Sequence, residues 1–195
     1  MILQAKTLEN RFVRLEPLDE AHREGLRAAC AADPATWNEL YPFSMMGEHF
    51  EPVWARLTAG AMAAGPSQSY AVVVDGVCGG MTSYLGIDLI NARMEIGATY
   101  YAPHLRGGAV NPAAKRLMLG HAFDSGIRRA QFCVDAINTR SRAAVLKLGA
   151  TQEGILRQDR VTWTGRLRDT VYFSILTDEW PGVRDGLEAR LAQLG

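Results

Sequence analysis

The segment HLRGGAVNPAAKRLMLGHAF (104–123) places two adjacent glycines and an arginine directly before a helical pattern. The residues ahead of it, 92–103, are rich in Ile, Thr and Tyr and predict a strand that Pro103 ends. Proline suits the first position of a helix because its missing N–H has no partner there, so we predict a helix from about Pro112 to Ser125. Together with the strands and helices predicted along the rest of the chain, this unit indicates an α/β domain.

Turn signals divide the remaining chain into strands and helices, in the overall order β-α-α-β-β-β-α-β-α-β-β-α. Asp75-Gly76 predicts a hairpin within 69–88, because both residues tolerate positive φ. Gly79 and Gly80 interrupt the second strand of this hairpin and predict a bulge. Further strands are predicted at 11–18, 130–137, 151–163 and 166–176, and further helices at 19–30, at 48–64, between Asn138 and Gly149, and from Thr177 onward.

The chain length of 195 residues suits one domain, and no repeat, low-complexity tract or linker divides it. We therefore expect a single domain over residues 1–195. The first residues lack the pattern of a signal peptide, and no window approaches the ~18 apolar residues that span a bilayer. Cys30, Cys78 and Cys133 are odd in number and far apart, which favours free thiols in a reducing cytoplasm over disulfides or a zinc site. We expect a cytoplasmic protein without a metal or a membrane partner.

Charge is distributed unevenly along a chain whose formal net charge is zero. Residues 91–150 contain nine Lys and Arg against three acids, whereas the remainder contains 12 basic and 18 acidic residues. A locally basic segment in a neutral protein suggests a small anionic ligand more than a nucleic acid, which usually meets a broadly basic domain. A solvated charged face is the alternative that charge alone leaves open.

The glycine loop ahead of the helix could hold a phosphate. A helix N-terminus offers free N–H groups and a partial positive charge, and glycines let an anion approach the backbone. The loop has neither the G-K-S/T of a P-loop nor a G-x-G-x-x-G followed by an acidic residue about 20 positions later. Taken alone, the loop is compatible with phosphate binding and with an ordinary left-handed turn.

The combination of motifs resembles the GNAT superfamily of acyl-CoA-dependent N-acetyltransferases, and within it the ribosomal-protein N-terminal acetyltransferases. The resembling segments cover nearly the whole chain: LENRFVRLEPL, EIGATYY, LRGGAVN, DAINTRSRAAVLKLGATQEGILR, and RDTVYFSIL with the later EWP. The resemblance implies one α/β (α+β) domain whose mixed, mostly antiparallel sheet has six to seven strands and is flanked by helices. It also implies transfer of acetyl from acetyl-CoA to a primary amine.

The resemblance assigns the cofactor to the glycine loop and the strand before it. The family loop, Q/R-x-x-G-x-G/A, aligns with Arg106, Gly107, Gly108, Ala109, Val110 and Asn111, which would hold the pyrophosphate of acetyl-CoA. Ala109 and Asn111 depart from that pattern. In this family the strand diverges from its neighbour, so the backbone of Tyr100 and Tyr101 would pair with the pantetheine arm, although both tyrosines also suit an ordinary strand.

Further site residues follow from the N-x-x-S motif that opens the helix after the buried strand. Asn138 suits an N-cap, and in relatives this asparagine also contacts the cofactor arm. Ser141 would lie near the sulfur and could protonate the departing thiolate, a role that a tyrosine fills in many relatives; a plain surface serine is the alternative. Arg140 and Lys147 are candidate phosphate partners, although exposed helix cations are common.

A general base is required because an amine must be neutral to attack the thioester. Glu95 alternates with Met94 and Ile96, so it faces away from the apolar residues, and relatives often carry a carboxylate here. The same alternation suits a solvent-facing residue. His104 and His121 are weaker candidates, and no cysteine has the basic neighbour that an acyl-cysteine route would need.

The acceptor is expected to meet the aromatic loop ADPATWNELYPFSMMG (32–47), whose turn formers surround Trp37, Tyr41 and Phe43. Such a loop is either a core plug or a pocket lid, and we favour the lid. The acceptor itself could be a protein N-terminus or a small amine, and formation of a homodimer is left open. The rival hypothesis is a non-catalytic CoA-binding protein with the same fold.

Overall fold

The computed structural model describes residues 3–194 and contains one sheet of eight strands flanked by helices. The strands are β1 (Leu8–Asn10), β2 (Val13–Pro17), β3 (Gln68–Val74), β4 (Val77–Asp88), β5 (Arg93–Tyr101), β6 (Arg129–Asp135), β7 (Thr151–Val161) and β8 (Leu167–Leu176). The helices are α1 (Arg23–Ala31), α2 (Pro34–Leu40), α3 (Phe50–Thr58), α4 (Val110–Asp124), α5 (Thr139–Lys147) and α6 (Trp180–Ala192).

The strand order is β1-β2-β3-β4-β5-β6-β8-β7, and every neighbouring pair is antiparallel except β5 and β6. The expected mixed, mostly antiparallel α/β architecture is therefore confirmed. The strand count is eight instead of the expected six to seven. The difference arises at the start of the chain, where the predicted strand 11–18 begins only at Val13 and pairs with an additional strand, β1.

The aromatic segment 32–47 contains a helix, α2, where the sequence predicted a loop. Asp33 accepts a hydrogen bond from the Thr36 N–H (3.3 Å), and Pro34 occupies the first helical position. These are ordinary start signals of a helix, and the surrounding turn formers concealed them. Two other helix bounds also differ from the prediction: α3 ends at Thr58, and α4 begins at Val110, two residues before the predicted start.

The β3–β4 hairpin confirms both local predictions made for it. Asp75 and Gly76 have φ values of 50° and 78°, as a tight turn with two left-handed residues requires. Val72 pairs with Gly80 while Val73 pairs with Cys78, so the strand bulges between the two partners. A Cβ on Gly80 would overlap the carbonyl oxygen of Tyr100, which explains why glycine lets β4 approach β5 here.

Two apolar clusters cover opposite faces of the sheet. The larger joins α4, α5 and α6 to strand residues such as Met94, Ile96 and Phe173. The smaller joins α1, α2 and α3 to Met81, Leu85 and other residues of the opposite face. Because successive strand residues face opposite sides, β5 contributes to both clusters and separates two layers of helices.

Lys115 is a buried cation within the larger layer and is only 5% exposed. Its Nζ donates to Thr99 Oγ1 (2.9 Å) and Thr82 Oγ1 (3.3 Å), and it has no carboxylate partner in the described part of the chain. Burial lowers the pKa of Lys115 to about 7, because the charged ammonium loses its hydration.

We expect Lys115→Met to stabilise the protein near and below pH 7. The unfolded chain keeps the ordinary lysine pKa of about 10.4, so it binds a proton more tightly than the folded chain does. Wild-type stability should therefore rise between about pH 7 and pH 10. At pH 6 the free energy of unfolding of the variant should exceed that of wild type by about 1–3 kcal/mol, and this difference should shrink towards pH 10. Urea unfolding at several pH values measures this, with the exposed Lys147→Met as control; parallel pH profiles of wild type and Lys115→Met would contradict it.

Candidate active site

The parallel strands β5 and β6 separate soon after they begin to pair. Their register joins only three pairs, Arg93 with Arg129, Met94 with Ala130, and Glu95 with Gln131. Beyond Glu95 the two strands have no ladder between them, although β5 continues to Tyr101 and β6 to Asp135. We call this opening the strand fork. It leaves main-chain groups of β5 available to an extended ligand.

A bulge on β5 lies just beyond Glu95, in the part of the strand that no longer pairs with β6 and that we call the open arm of the fork. The register between β4 and β5 shifts between Met81 and Ser83, and Ala98 adopts a φ of 46°. Left-handed backbone is uncommon for alanine, and it redirects the strand after this residue. The bulge therefore turns the segment ending in Tyr100 and Tyr101 along the fork.

The glycine loop joins the end of β5 to the N-terminus of α4. Gly107 has a φ of 82°, and no atom lies within 4 Å of a Cβ built on Gly107 or Gly108. The N-cap residue of α4 is Ala109, which cannot offer a side-chain acceptor to the first helical turn. The loop is therefore open, and the amides at the start of α4, including those of Val110 and Asn111, are suited to an anion.

The Arg106 side chain is held by contacts with other residues of the protein. Its Nε donates to the Tyr101 carbonyl (2.7 Å), and its Nη1 forms an ion pair with Asp33 Oδ2 (2.5 Å). Its guanidinium also lies 5.3 Å from the centre of the Tyr100 ring. Arg106 thus links the end of β5 to the N-cap of α2, and its contact with a pyrophosphate stays a prediction.

The two tyrosines at the end of β5 direct their rings away from the fork. The Tyr100 hydroxyl donates to the Ala29 carbonyl (2.8 Å), and the Tyr101 hydroxyl donates to Asn111 Oδ1 (3.2 Å). Both rings are buried, in opposite apolar clusters. Any contact with a ligand in the fork would therefore come from their main-chain groups.

The second arm of the fork leads from β6 into α5. Asn138 Oδ1 accepts from the Ser141 N–H (3.0 Å), which confirms the predicted N-cap. Ser141 is partly buried on the first turn of α5. Lys147 is exposed and is the last helical residue, so it lies about 12 Å along the axis from Thr139. Asn138 and Ser141 lie at the end of α5 that the fork strand enters, and Lys147 lies at the other end.

Glu95 occupies the last paired position of β5, at the base of the fork. Its neighbours Met94 and Ile96 are buried against α4, so the predicted alternation is confirmed and Glu95 lies on the opposite face. A Cβ on Gly97 would overlap the Glu95 carboxylate, so the glycine leaves room for it. Burial raises the pKa of Glu95, and the Cys133 thiol and the nearby charge of Arg160 oppose that rise only in part.

The other carboxylates on this face of the sheet are neutralised by arginines. Asp135 pairs with Arg166, Asp159 Oδ2 with Arg160 Nε (2.8 Å), and Glu153 Oε2 with Arg129 Nη2 (2.5 Å). Glu95 forms no ion pair with any residue of 3–194. It is therefore the carboxylate of this face that remains free to accept a proton from a ligand.

The aromatic segment lies on the same face as Glu95. Trp37 is fully buried and stacks on Tyr100 with 4.6 Å between ring centres. Without exposed surface, the Trp37 side chain packs as core here, and its place at the border of an acceptor pocket stays a prediction. Tyr41 and Phe43 are partly buried next to Trp37, and their place at the border of an acceptor pocket also stays a prediction.

The tip of the β7–β8 hairpin contacts this segment, which the sequence analysis did not predict. Trp163 donates from Nε1 to the Trp37 carbonyl (2.9 Å) and from its main chain to the Pro42 carbonyl (3.2 Å). Arg166 donates to the Glu39 carbonyl (3.3 Å). No local pattern signals contacts between residues so distant in sequence.

Two other kinds of structural feature are absent from residues 3–194. No helix there is long and apolar enough to cross a membrane. No group of three or more His, Cys, Asp or Glu side chains is arranged to hold a metal ion.

The forked mixed sheet, with a glycine loop and an uncapped helix N-terminus on one arm, defines an acetyltransferase of the GNAT class. The family model described as "Acetyltransferase (GNAT) domain" matches residues 13–151, and the chain belongs to this family.

Individual relatives agree with this assignment. The chain is 31% identical to a GCN5-related N-acetyltransferase from Brucella melitensis, with a TM-score of 0.87 over 96% of this chain and 86% of that one. It is 33% identical over 112 residues to YdaF of Bacillus subtilis (strain 168), provisionally named a ribosomal N-acetyltransferase; the match spans 57% of this chain and 60% of YdaF. RimJ of Mycobacterium smegmatis, solved in complex with CoA-disulfide, shares the fold at 22% identity, with a TM-score of 0.83 over 98% of this chain and 97% of that one.

Proposed function

We propose that the chain, acting as one domain, transfers acetyl from acetyl-CoA to a primary amine that attacks the thioester directly in a ternary complex. The observation that carries the proposal is the strand fork, which has the open glycine loop on one arm and an unpaired carboxylate, Glu95, at its base. The fork separates a basic loop for the cofactor from a carboxylate for the amine.

The cofactor is held mainly by main-chain groups. The amides of the loop and of the first turn of α4, from Gly107 to Asn111, bind the pyrophosphate. The backbone at Tyr100 and Tyr101 pairs with the pantetheine arm, and Asn138 contacts that arm from the other side. The CoA-disulfide complex of the related RimJ supports a CoA ligand for this fold. Ala109 and Asn111 are compatible with pyrophosphate binding by the loop amides. Ala109 adopts a helical backbone conformation, and the Asn111 side chain accepts a hydrogen bond from the Tyr101 hydroxyl.

Glu95 accepts the proton of the incoming amine, directly or through a water molecule. Burial raises the pKa of Glu95, and a carboxylate with a raised pKa is a stronger base than an ordinary one. Ser141 lies near the sulfur as a hydrogen-bond partner. Positioning supplies most of the rate gain, because a thioester is already an activated acyl group.

Direct attack is favoured over an acyl-cysteine intermediate. Burial raises the pKa of Cys30 and of Cys133, and the Glu95 carboxylate raises that of Cys133 further. Both thiols are therefore protonated at neutral pH, whereas the nucleophile in such a route is the thiolate.

The acceptor is a protein N-terminus or a small amine. A protein N-terminus is supported by the relative YdaF, which is named a ribosomal N-acetyltransferase. The matched stretch spans 60% of YdaF. Tyr41 and Phe43 border the acceptor site, because they lie on the Glu95 face of the sheet.

Binding and product analysis test this proposal together. Acetyl-CoA is expected to raise the melting temperature at micromolar concentrations, whereas ATP at the same concentrations leaves it unchanged. Mass spectrometry of a panel of peptides and small amines is then expected to show a singly acetylated product. Stabilisation by ATP without stabilisation by acetyl-CoA would overturn the proposal in favour of a nucleotide-binding protein.

A further inference from the structure

Lys115 joins the helix that follows the glycine loop to the bulged part of β5. It lies on the second turn of α4, and its Nζ donates to the hydroxyls of Thr99 on the open arm (2.9 Å) and of Thr82 on β4 (3.3 Å). At the bulge one residue of β4, Thr82, opposes two residues of β5, Ala98 and Thr99. The ammonium therefore contacts the bulge from the side of the sheet that α4 covers.

Thr99 is held at its side chain and at its main chain. Its hydroxyl accepts from Lys115, and its main-chain carbonyl accepts from the Tyr41 hydroxyl. Thr99 directly precedes Tyr100 and Tyr101, whose main-chain groups we place along the pantetheine arm. The hydrogen bond from Lys115 therefore helps to fix the direction of the main chain on which the thioester would be aligned.

Among residues 3–194, no counter-ion accompanies the charge of Lys115 in the layer that encloses it. The other titratable side chains buried there lie on β3, β4, β5 and α4 and are Tyr70, Tyr84, Tyr101 and His121. Burial raises the pKa of the three phenols and lowers that of the imidazole, so none of them is negative at neutral pH. A buried cation that has only hydroxyl partners lowers stability, and proteins keep such unfavourable features at functional sites.

An anion bound at the start of α4 would supply the missing negative charge. Lys115 follows Val110, the first residue of α4, by five positions, or about 7.5 Å along the helix axis. Opposite charges at such a separation attract each other more strongly inside a protein than in water, because the effective dielectric constant is lower. The open glycine loop and the buried cation thus lie within two turns of one helix.

We propose that Lys115 is a positioning residue of the cofactor site, whose ammonium holds the bulged arm of β5 against α4. The thioester and the pyrophosphate of acetyl-CoA are thereby held at a fixed separation. The inference rests on the proposed acetyl transfer, which places these two groups on β5 and α4.

This role implies that the protein takes up a proton when acetyl-CoA binds. Burial lowers the pKa of Lys115 to about 7, so part of the free protein holds the neutral amine at neutral pH. The bound anion favours the ammonium, and the fraction of protein that carries the charge therefore rises in the complex.

Binding and kinetics of Lys115→Met test the positioning role, with Arg116→Met as the matched control. Methionine occupies similar space without the charge, and the variant should melt no lower than wild type at pH 7. Its Kd for acetyl-CoA should rise at least about tenfold, and its kcat should fall by a similar factor. Arg116 pairs with Glu188 at the surface (2.6 Å), so its variant should keep Kd and kcat within about twofold. The same retention in Lys115→Met would overturn the proposal.

Proton uptake separates this role from general support of the fold. Titration calorimetry with acetyl-CoA at pH 8, in buffers of different ionisation enthalpy, should show uptake of a fraction of a proton per site in wild type. Phosphate groups, whose second pKa is about 6, are already ionised at that pH. The uptake should be lost in Lys115→Met and kept in Arg116→Met. Equal uptake in all three proteins would overturn the proposal.

Thr99→Val tests whether Lys115 acts through the open arm. Valine keeps the shape of threonine but removes the hydroxyl that accepts from the ammonium. Its Kd should rise too, and adding it to Lys115→Met should raise Kd by less than about a further twofold. Independent effects of the two substitutions would overturn the proposal. A wild-type protein that does not bind acetyl-CoA would instead overturn the proposed acetyl transfer itself.

Discussion

Replacing Glu95 by glutamine is expected to lower kcat at least about 100-fold, while the affinity for acetyl-CoA stays within about threefold. Glutamine fills the same space beside Gly97 but cannot accept the proton of the attacking amine. The raised pKa of Glu95 also predicts that the acid limb of the wild-type kcat profile lies above the ordinary glutamate value of about 4.3, because kcat falls as the carboxylate becomes protonated.

A matched control for this variant is Glu153→Gln on the same face of the sheet. Glu153 is held by Arg129 and by Ser174 (2.9 Å), so it is not free to act as a base. The control should keep wild-type kcat and lose at most some stability. Unchanged turnover of Glu95→Gln at saturating substrates would remove Glu95 from the mechanism.

Replacing Gly108 by aspartate is expected to raise the Kd for acetyl-CoA at least about 100-fold, a loss of about 2.7 kcal/mol. A Cβ at Gly108 meets no atom within 4 Å and its φ is not left-handed, so the side chain can be accommodated without strain. Its carboxylate would lie where we place the pyrophosphate and would repel it in a site that attracts anions.

Gly108→Asn provides the matched control, because asparagine has nearly the same shape without the charge. Its Kd should rise far less than that of Gly108→Asp, and both variants should melt close to wild type. Titration calorimetry at low and high salt measures the difference, which should shrink as salt screens the charges. Equal Kd values for the two variants would place the pyrophosphate elsewhere.

Local chemistry made much of the fold predictable from the sequence. Asp75-Gly76, the bulge at Gly79 and the cap at Asn138 each depend on residues within three positions of one another, and the structure has all three. The prediction failed at α2 because Asp33-Pro34, a cap followed by a first helical residue, lies among turn formers that suggested a loop.

The site was predictable only in part. The alternation of Glu95 with apolar neighbours indicated its face, but the divergence of β5 from β6 was expected from the family resemblance alone. The ion pair of Arg106 with Asp33 and the hydrogen bond of Tyr41 to Thr99 join segments far apart in sequence. A single sequence contains no local pattern for such contacts, since they depend on how α2 packs on the sheet.

Release of free CoA thiol from acetyl-CoA, followed in the presence and absence of an amine panel, tests the central claim most directly. Acetyl transfer with Glu95 as the base predicts thiol release that depends on an amine and matches the acetylated product one to one. This release should nearly disappear in Glu95→Gln. Acetyl-CoA binding without thiol release across a broad panel of peptides and amines would contradict it. That result would identify the chain as a CoA-binding protein that keeps the fold without the chemistry.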